Sequence, residues 1–199
     1  MAVNRDPIAK KCRALDISPA VLGYDKKKSN RNPGANKRVR TSEYGMQLKE
    51  KQKLKFVYGM LETQFYNCYL KADRMEGRTG ENLITLLESR LDNVVFRMGM
   101  AKTRREARQL VTHSHFRLNG KKVNIPSITV KVGDVISVKD TSRSSAKIKE
   151  LIELMETRIA PKWLDINKND LTATVVALPQ KEDVDFPIEE HLIVELYSK

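Results

Sequence analysis

The stretch LDNVVFRMGMAKTRREARQLVTHSHFRLNGKKVNI, residues 91–125, decides the fold class and carries the densest run of positive charge in the chain. Leu91, Val94, Val95 and Met98 recur at i, i+3, i+4 and i+7, which lays one apolar stripe along a helix. Gly99 loosens its end. Thr103-Arg104-Arg105-Glu106 then reads as a capping box: the Thr103 hydroxyl and the Glu106 carboxylate each satisfy an amide that the first turn of a second helix leaves open. Within that helix Ala107, Leu110 and Val111 point one way, and Arg104, Arg105, Arg108 and Gln109 lie on the remaining surface. Phe116–Leu118 and Lys122–Asn124 flank Asn119-Gly120, a pair suited to the positive φ angles of a tight hairpin. Between Arg97 and Lys122 eight Lys/Arg stand against a single acid, Glu106. Solubilising faces mix signs, and this one does not. A helix pair and hairpin with one apolar and one basic side is suited to holding a phosphate backbone.

Toward the C-terminus, Val130, Val132, Val135, Ile136 and Val138 surround the turn Gly133-Asp134 and predict short strands of a small sheet. Ser144 or Ser145 caps a helix with Ile148, Leu151, Ile152 and Met155 inward, ended by Pro161. Leu164–Ile166 and Leu171–Val176 form a second hairpin across residues 167–170, anchored by Trp163. An acidic loop from Pro179 to Pro187 leads to HLIVELYSK, residues 191–199, which is apolar enough that it must dock, most simply on the helices before residue 90.

Toward the N-terminus, Ser42 caps a helix in which Leu54, Val57, Leu61, Phe65 and Cys68 step by three or four. This predicts one long helix to about Arg74. Lys49, Lys51, Lys53 and Lys55 crowd its N-terminal half against the helix dipole, a repulsion that a phosphate would relieve. Tyr58, Tyr66 and Tyr69 read as core-edge packing in preference to base-stacking. Gly77 and Gly80 break the helix, and Thr79 opens a shorter one bearing Leu83, Leu86 and Leu87. Residues 1–41 lack sustained periodicity and interleave cations with Pro33, Gly34 and several Asn. Such a segment buries too little to offset its ordering entropy, so it is expected to order on a partner. The fold class is therefore α+β: a basic extension (1–41), a helical domain (42–90, completed by 178–199) and a phosphate-binding domain (91–177) whose core module spans 91–140.

The chain has 199 residues and a net charge of +12. Residues 1–58 carry +10 and 97–122 carry +7, whereas 59–96 carry −2 and 150–199 carry −6. Two basic regions separated by a near-neutral one suit a single large polyanion touching both. Cys12 and Cys68 have no close cysteine or histidine partners, so neither a disulfide framework nor a four-ligand zinc site is legible, and a reducing compartment follows. No apolar run approaches the length of a membrane span, and the N-terminus lacks a signal-peptide core. There is no Gly-rich phosphate loop, GxSxG or HExxH. His113-x-His115 lacks the further ligands a metal needs, and Asp92 fits a helix start. No active site and no cofactor are expected.

The module at 91–140 resembles the small RNA-binding fold called the alpha-L motif, shared by ribosomal protein S-four, some tRNA synthetases and many pseudouridine synthases. The flanks narrow the resemblance. SEYGMQLKEKQKLKFVYGMLETQF (42–65), TGENLITLLESRLDNVVFRMG (79–99), TRREARQLVTH (103–113) and EEHLIVELYSK (189–199) are similar, in order and spacing, to the bacterial small-subunit ribosomal protein S-four family. The resemblance implies a non-enzymatic, cytoplasmic component of the ribosome. Such a protein is a primary binder of small-subunit ribosomal RNA at a five-way junction that nucleates assembly of the subunit body. It implies contact with ribosomal protein S-five at an interface affecting decoding accuracy, a position near the channel through which mRNA enters, and no membrane. The expected RNA-binding residues are Lys10, Lys11, Arg13, Lys37, Arg38, Arg40, Tyr44, Gln47, Lys49, Lys51, Lys53, Lys55, Arg97, Lys102, Thr103, Arg104, Arg105, Arg108, Gln109, His113, Lys121 and Lys122. Many members carry four N-terminal cysteines that bind zinc; this chain keeps at most Cys12, the form without metal. The family's PGQHG-like stretch reads Pro33-Gly34-Ala35-Asn36-Lys37. A pseudouridine synthase sharing the module would need a further catalytic domain, for which residues 150–199 are too few.

Overall fold

The computed structural model describes residues 6–24, 42–157 and 160–198, apart from the side chains of 153, 154, 156 and 157. The chain divides into two compact units, 1–67 with 186–199 and 68–185, with the division falling inside one helix. The sequence reading placed its boundary at residue 90; by contacts, residues 68–90 and 178–185 group with the second unit.

In the first unit, α1 (Ile8–Leu15) and α2 (Glu43–Val57) pack together, and α9 (Glu190–Tyr197) docks along α2. The apolar tail thus finds its partner among the helices before residue 90. Ser42 caps α2, its hydroxyl accepting from the Gly45 amide at 3.2 Å. The expected long helix is two, because α2 stops at Val57 and α3 spans Glu62–Asp73. Gly59, at φ 59°, ends α2 with the Met60 amide donating to the Lys55 carbonyl at 3.0 Å and its own amide to Phe56 at 3.1 Å. That paired closure is the Schellman stop, and the stepping of Leu61 and Phe65 concealed it. The N-terminal reading also changes. Residues 6–24 hold α1 and a 3-10 turn (Pro19–Leu22), with Cys12, Leu15, Ile17 and Leu22 buried. Short apolar spacings here had been diluted by the cations around them.

The second unit places α4 (Thr79–Glu88), α5 (Leu91–Arg97), α6 (Arg104–Thr112) and α8 (Ala146–Thr157) with a five-stranded antiparallel sheet. The strands are β1 (Phe116–Leu118), β2 (Lys121–Val123), β3 (Val135–Val138), β4 (Leu164–Asn167) and β5 (Thr172–Val175), in the order β2-β1-β3-β5-β4. Asn119 and Gly120, at φ 50° and 77°, make the two-residue turn that puts Leu118 opposite Lys121. Both expected hairpins form. Val130–Val132 do not join a strand; only an isolated bridge, Arg90 to Thr129, forms there. A short helix, α7 (Asp140–Arg143), precedes α8 and was not foreseen. One core runs through the unit, built from Leu91, Val94 and Val95 of α5 and Met98 just after it, Ala107 and Val111 of α6, Phe116, Ile136 and Ala173 of the sheet, and Ile148, Leu151 and Met155 of α8. Gly99, at φ 84°, lets the chain turn between α5 and α6, and a Cβ there would stand 3.3 Å from the Met155 backbone. The class is α+β.

Candidate nucleic-acid interface

The face expected to meet RNA begins with α6. Thr103 caps it, its hydroxyl accepting from the Glu106 amide at 3.2 Å. The returning half of the box is shifted by one residue, since Glu106 accepts from the Lys102 amide at 2.6 Å and not from Thr103. The helix ends with Ser114 at φ 63°, where the His115 amide reaches the Leu110 carbonyl at 3.2 Å.

With its ends fixed, α6 has a definite orientation. Ala107 and Val111 are fully buried and Leu110 nearly so, while Arg105, Gln109 and Thr112 form the outward row at i, i+4 and i+7. His113 continues that row into solvent. Lys121 and Lys122 on β2 are exposed and form no ion pair among the described residues. Lys102 is exposed and pairs with Glu150, whose carboxyl is drawn below its usual value first by Lys102 and then by Lys147. Lys147 bridges Glu106 at 3.0 Å and Glu150 at 3.2 Å.

Three arginines of the basic block turn inward instead. Arg97 is buried against Glu88, donating Nε to Oε2 at 3.0 Å and Nη2 to Oε1 at 2.9 Å; it also pairs with Asp185 and donates to the Asp183 carbonyl at 3.2 Å. Arg104 is buried as well. Its Nε donates to Asn93 Oδ1 at 2.8 Å, and its guanidinium stands 4.4 Å from the centre of the Phe96 ring. Asn93 in turn donates to the Glu88 carboxylate at 2.7 Å. Arg108, expected exposed, is half-buried and bound to Asp92 through Nε at 2.8 Å and Nη2 at 2.7 Å. Asp92 also accepts two bonds from Arg90, each 3.1 Å. Burying unpaired guanidinium groups would cost several kcal/mol apiece, so the acids are what let these side chains turn inward. Glu88 and Asp92 lie outside the 97–122 window, which is why counting charge within it overstated the free positive surface. Asp92 sits in the first turn of α5, the helix start expected for it, and is in addition an ion-pair acceptor.

The first unit tells a similar story. Each α2 lysine has an acid of its own chain: Lys49 with Asp16, Lys53 with Glu50 at 2.6 Å, and Lys51 and Lys55 both with Glu62 at 2.7 Å. No external phosphate is needed to relieve them. Burial raises the Glu62 pKa, but hydrogen bonds from Lys51, Lys55 and Tyr197 outweigh it and bring the carboxyl from 4.5 down to about 2. Gln47, expected to contact RNA, is fully buried, because it lies on the inward side of α2. Tyr44 is 59% exposed at the start of that helix. Lys10 and Arg13 are exposed on α1, and Lys11 pairs with Asp6 at 3.5 Å. Lys37, Arg38 and Arg40 lie outside the described residues.

Further polar groups outside the expected contact set sit beside the hairpin. Arg117 on β1 pairs with Asp140 at 3.1 Å, and Arg143 approaches the same carboxylate at 3.8 Å. His115 lies within 3.0 Å of the Ser142 hydroxyl, and burial, His113 and Lys139 all lower its pKa. Among the described residues no group of three His, Cys, Asp or Glu could hold a metal ion, and no helix is long and apolar enough to cross a membrane.

Comparison with known proteins matches both stretches described above. A model of the S4 domain matches residues 89–136, and a model of the ribosomal protein S4/S9 N-terminal domain matches residues 4–88. Small ribosomal subunit protein uS4 of Agathobacter rectalis is 54% identical over 199 residues, covering all of both chains. The protein of the same name from Clostridioides difficile is 62% identical over 174 residues, 86% of this chain and 84% of the relative. That of Halothermothrix orenii is 49% identical over 208 aligned residues, again covering both chains fully. The two family models together span most of the chain and the identities run its whole length, so it belongs to the small ribosomal subunit protein uS4 family.

Proposed function

We propose that this chain is a structural, non-enzymatic component of the small subunit of the cytoplasmic ribosome, and that it grips ribosomal RNA. The observation that carries the reading is the exposed row Arg105, Gln109, Thr112 and His113 of α6, together with the exposed Lys121 and Lys122 of β2, within a module that matches the S4 domain. A row of cations and polar side chains on rigid elements meets phosphates with little ordering cost. Lys102, Thr103 and the half-buried Arg108 flank this row and extend it. Lys10, Lys11, Arg13, Tyr44 and the paired lysines 49–55 form a second contact region, in which RNA phosphates compete with Asp16, Glu50 and Glu62 for the same cations. Lys37, Arg38 and Arg40 belong to the proposed contact set by their charge alone. Arg97 and Arg104 support the α6 module from within, and Gln47 is buried on the inner side of α2.

The finer reading follows family resemblance: the RNA is the five-way junction of the subunit body, binding there nucleates assembly, and ribosomal protein S-five and incoming mRNA lie alongside, where they bear on accuracy. Competition binding tests it. The purified protein should hold a junction fragment of its ribosomal RNA far more tightly than tRNA at equal ionic strength. Equal affinity for the two would overturn the ribosomal reading.

A further inference from the structure

Of three tyrosines grouped by the sequence reading as packing residues, Tyr58 and Tyr69 are buried, whereas Tyr66 is 42% exposed. Its ring centre lies 5.4 Å from that of Tyr197 on α9, with the planes tilted by 53°. Tyr197 is held from two sides: its hydroxyl donates to Glu62 at 3.0 Å, and the buried Phe65 ring backs it at 6.4 Å. Lys51 Nζ stands 5.4 Å from the centre of the Tyr197 ring, and Lys51 and Lys55 share the single carboxylate of Glu62. Two ammonium groups against one carboxylate leave net positive charge beside the exposed Tyr66 ring and the half-buried Tyr197 ring. Around Tyr66, the exposed α3 residues are Glu62, Thr63, Gln64 and Asn67, a polar collar that makes a poor apolar docking patch for a protein. A fixed aromatic face next to cations is instead the arrangement that takes an unpaired base and its phosphate.

The geometry points to a stacking platform for an unpaired nucleobase of single-stranded RNA at Tyr66 and Tyr197, with Lys51 and Lys55 meeting the adjoining phosphate. The platform rests on the RNA-binding reading above but is separate from the α6 face. It predicts behaviour that the α6 face does not, namely a preference for unpaired bases.

The test uses the full chain and a short single-stranded RNA with 2-aminopurine at its centre, whose fluorescence falls when the base stacks. Tyr66→Leu keeps apolar bulk and removes the aromatic face at an exposed position. Tyr197→Phe keeps the second ring and removes only its hydroxyl. The native protein should quench the fluorophore, and Tyr66→Leu should lose the quench and bind the single strand between about fivefold and a hundredfold more weakly. Tyr197→Phe should keep the quench, and a blunt RNA duplex of equal length should bind all three proteins alike. Native quench and affinity in Tyr66→Leu would overturn the platform while leaving junction binding untouched. If the native protein bound neither the strand nor the junction fragment, the underlying RNA reading itself would fall.

Discussion

Arg97 of α5 embraces Glu88 of α4 with two guanidinium bonds, of 2.9 and 3.0 Å, and neither side chain reaches solvent to any useful extent. Removing one partner strands the other in a low-dielectric interior. Glu88→Leu should therefore destabilise the protein by about 3–5 kcal/mol, read as a lower urea midpoint. The double change Glu88→Leu with Arg97→Met should cost less than the sum of the singles, because Arg97 is no longer left facing a lost carboxylate, although Arg104, 3.9 Å from Glu88, still loses its neighbouring acid. Additive losses would mean that the two side chains do not depend on each other.

Two arginines three residues apart on α6 should behave differently under charge reversal. Arg105→Glu changes an exposed side chain, so it should weaken RNA binding and leave the melting temperature nearly unchanged. Arg108→Glu places a second carboxylate against the buried Asp92, so it should lower both RNA affinity and melting temperature. Thermal melts of the two variants side by side decide the matter. Equal melting temperatures would show that the Asp92 contact does not matter in solution.

The helical frame and the sheet were legible because their signals are local. Periodicity located α5 and α6, the apolar tail was legible as a docking segment though not as a helix, and Asn119-Gly120 marked the turn of the first hairpin. The inward turn of Arg97 and Arg104 was not legible. Both are strongly solvated side chains on a helix surface, and only the arrival of Glu88 and Asn93 from other elements makes their burial tolerable. The pairing of the α2 lysines was not legible either, since Asp16 lies 33 positions from Lys49 in sequence. A capping glycine outweighed apolar stepping at Gly59. Short-range chemistry can be read along a chain, whereas ion pairing is settled by the tertiary fold.

Glu62 carries a pH signature. Its carboxyl titrates near 2 in the folded protein against 4.5 ordinarily, so the folded state favours the ionised form. The stabilisation it supplies is complete above about pH 4.5 and is lost as pH falls toward 2. Native protein should therefore exceed Glu62→Gln in stability at pH 6, with the gap narrowing steadily as unfolding is measured from pH 4.5 downward. A gap that does not change with pH would show that Lys51, Lys55 and Tyr197 do not engage the carboxylate in solution.

If the outward row of α6 and the lysines of β2 hold an RNA backbone, binding to the junction fragment must depend steeply on salt. With ~6–10 phosphates neutralised, affinity should fall about 10³- to 10⁵-fold between roughly 50 and 200 mM salt. Replacing Lys121 and Lys122 together by Ala should flatten the slope of log affinity against log salt by about two. The native slope should be steep and those replacements should flatten it; a slope that they leave unchanged would mean that β2 does not meet the RNA backbone.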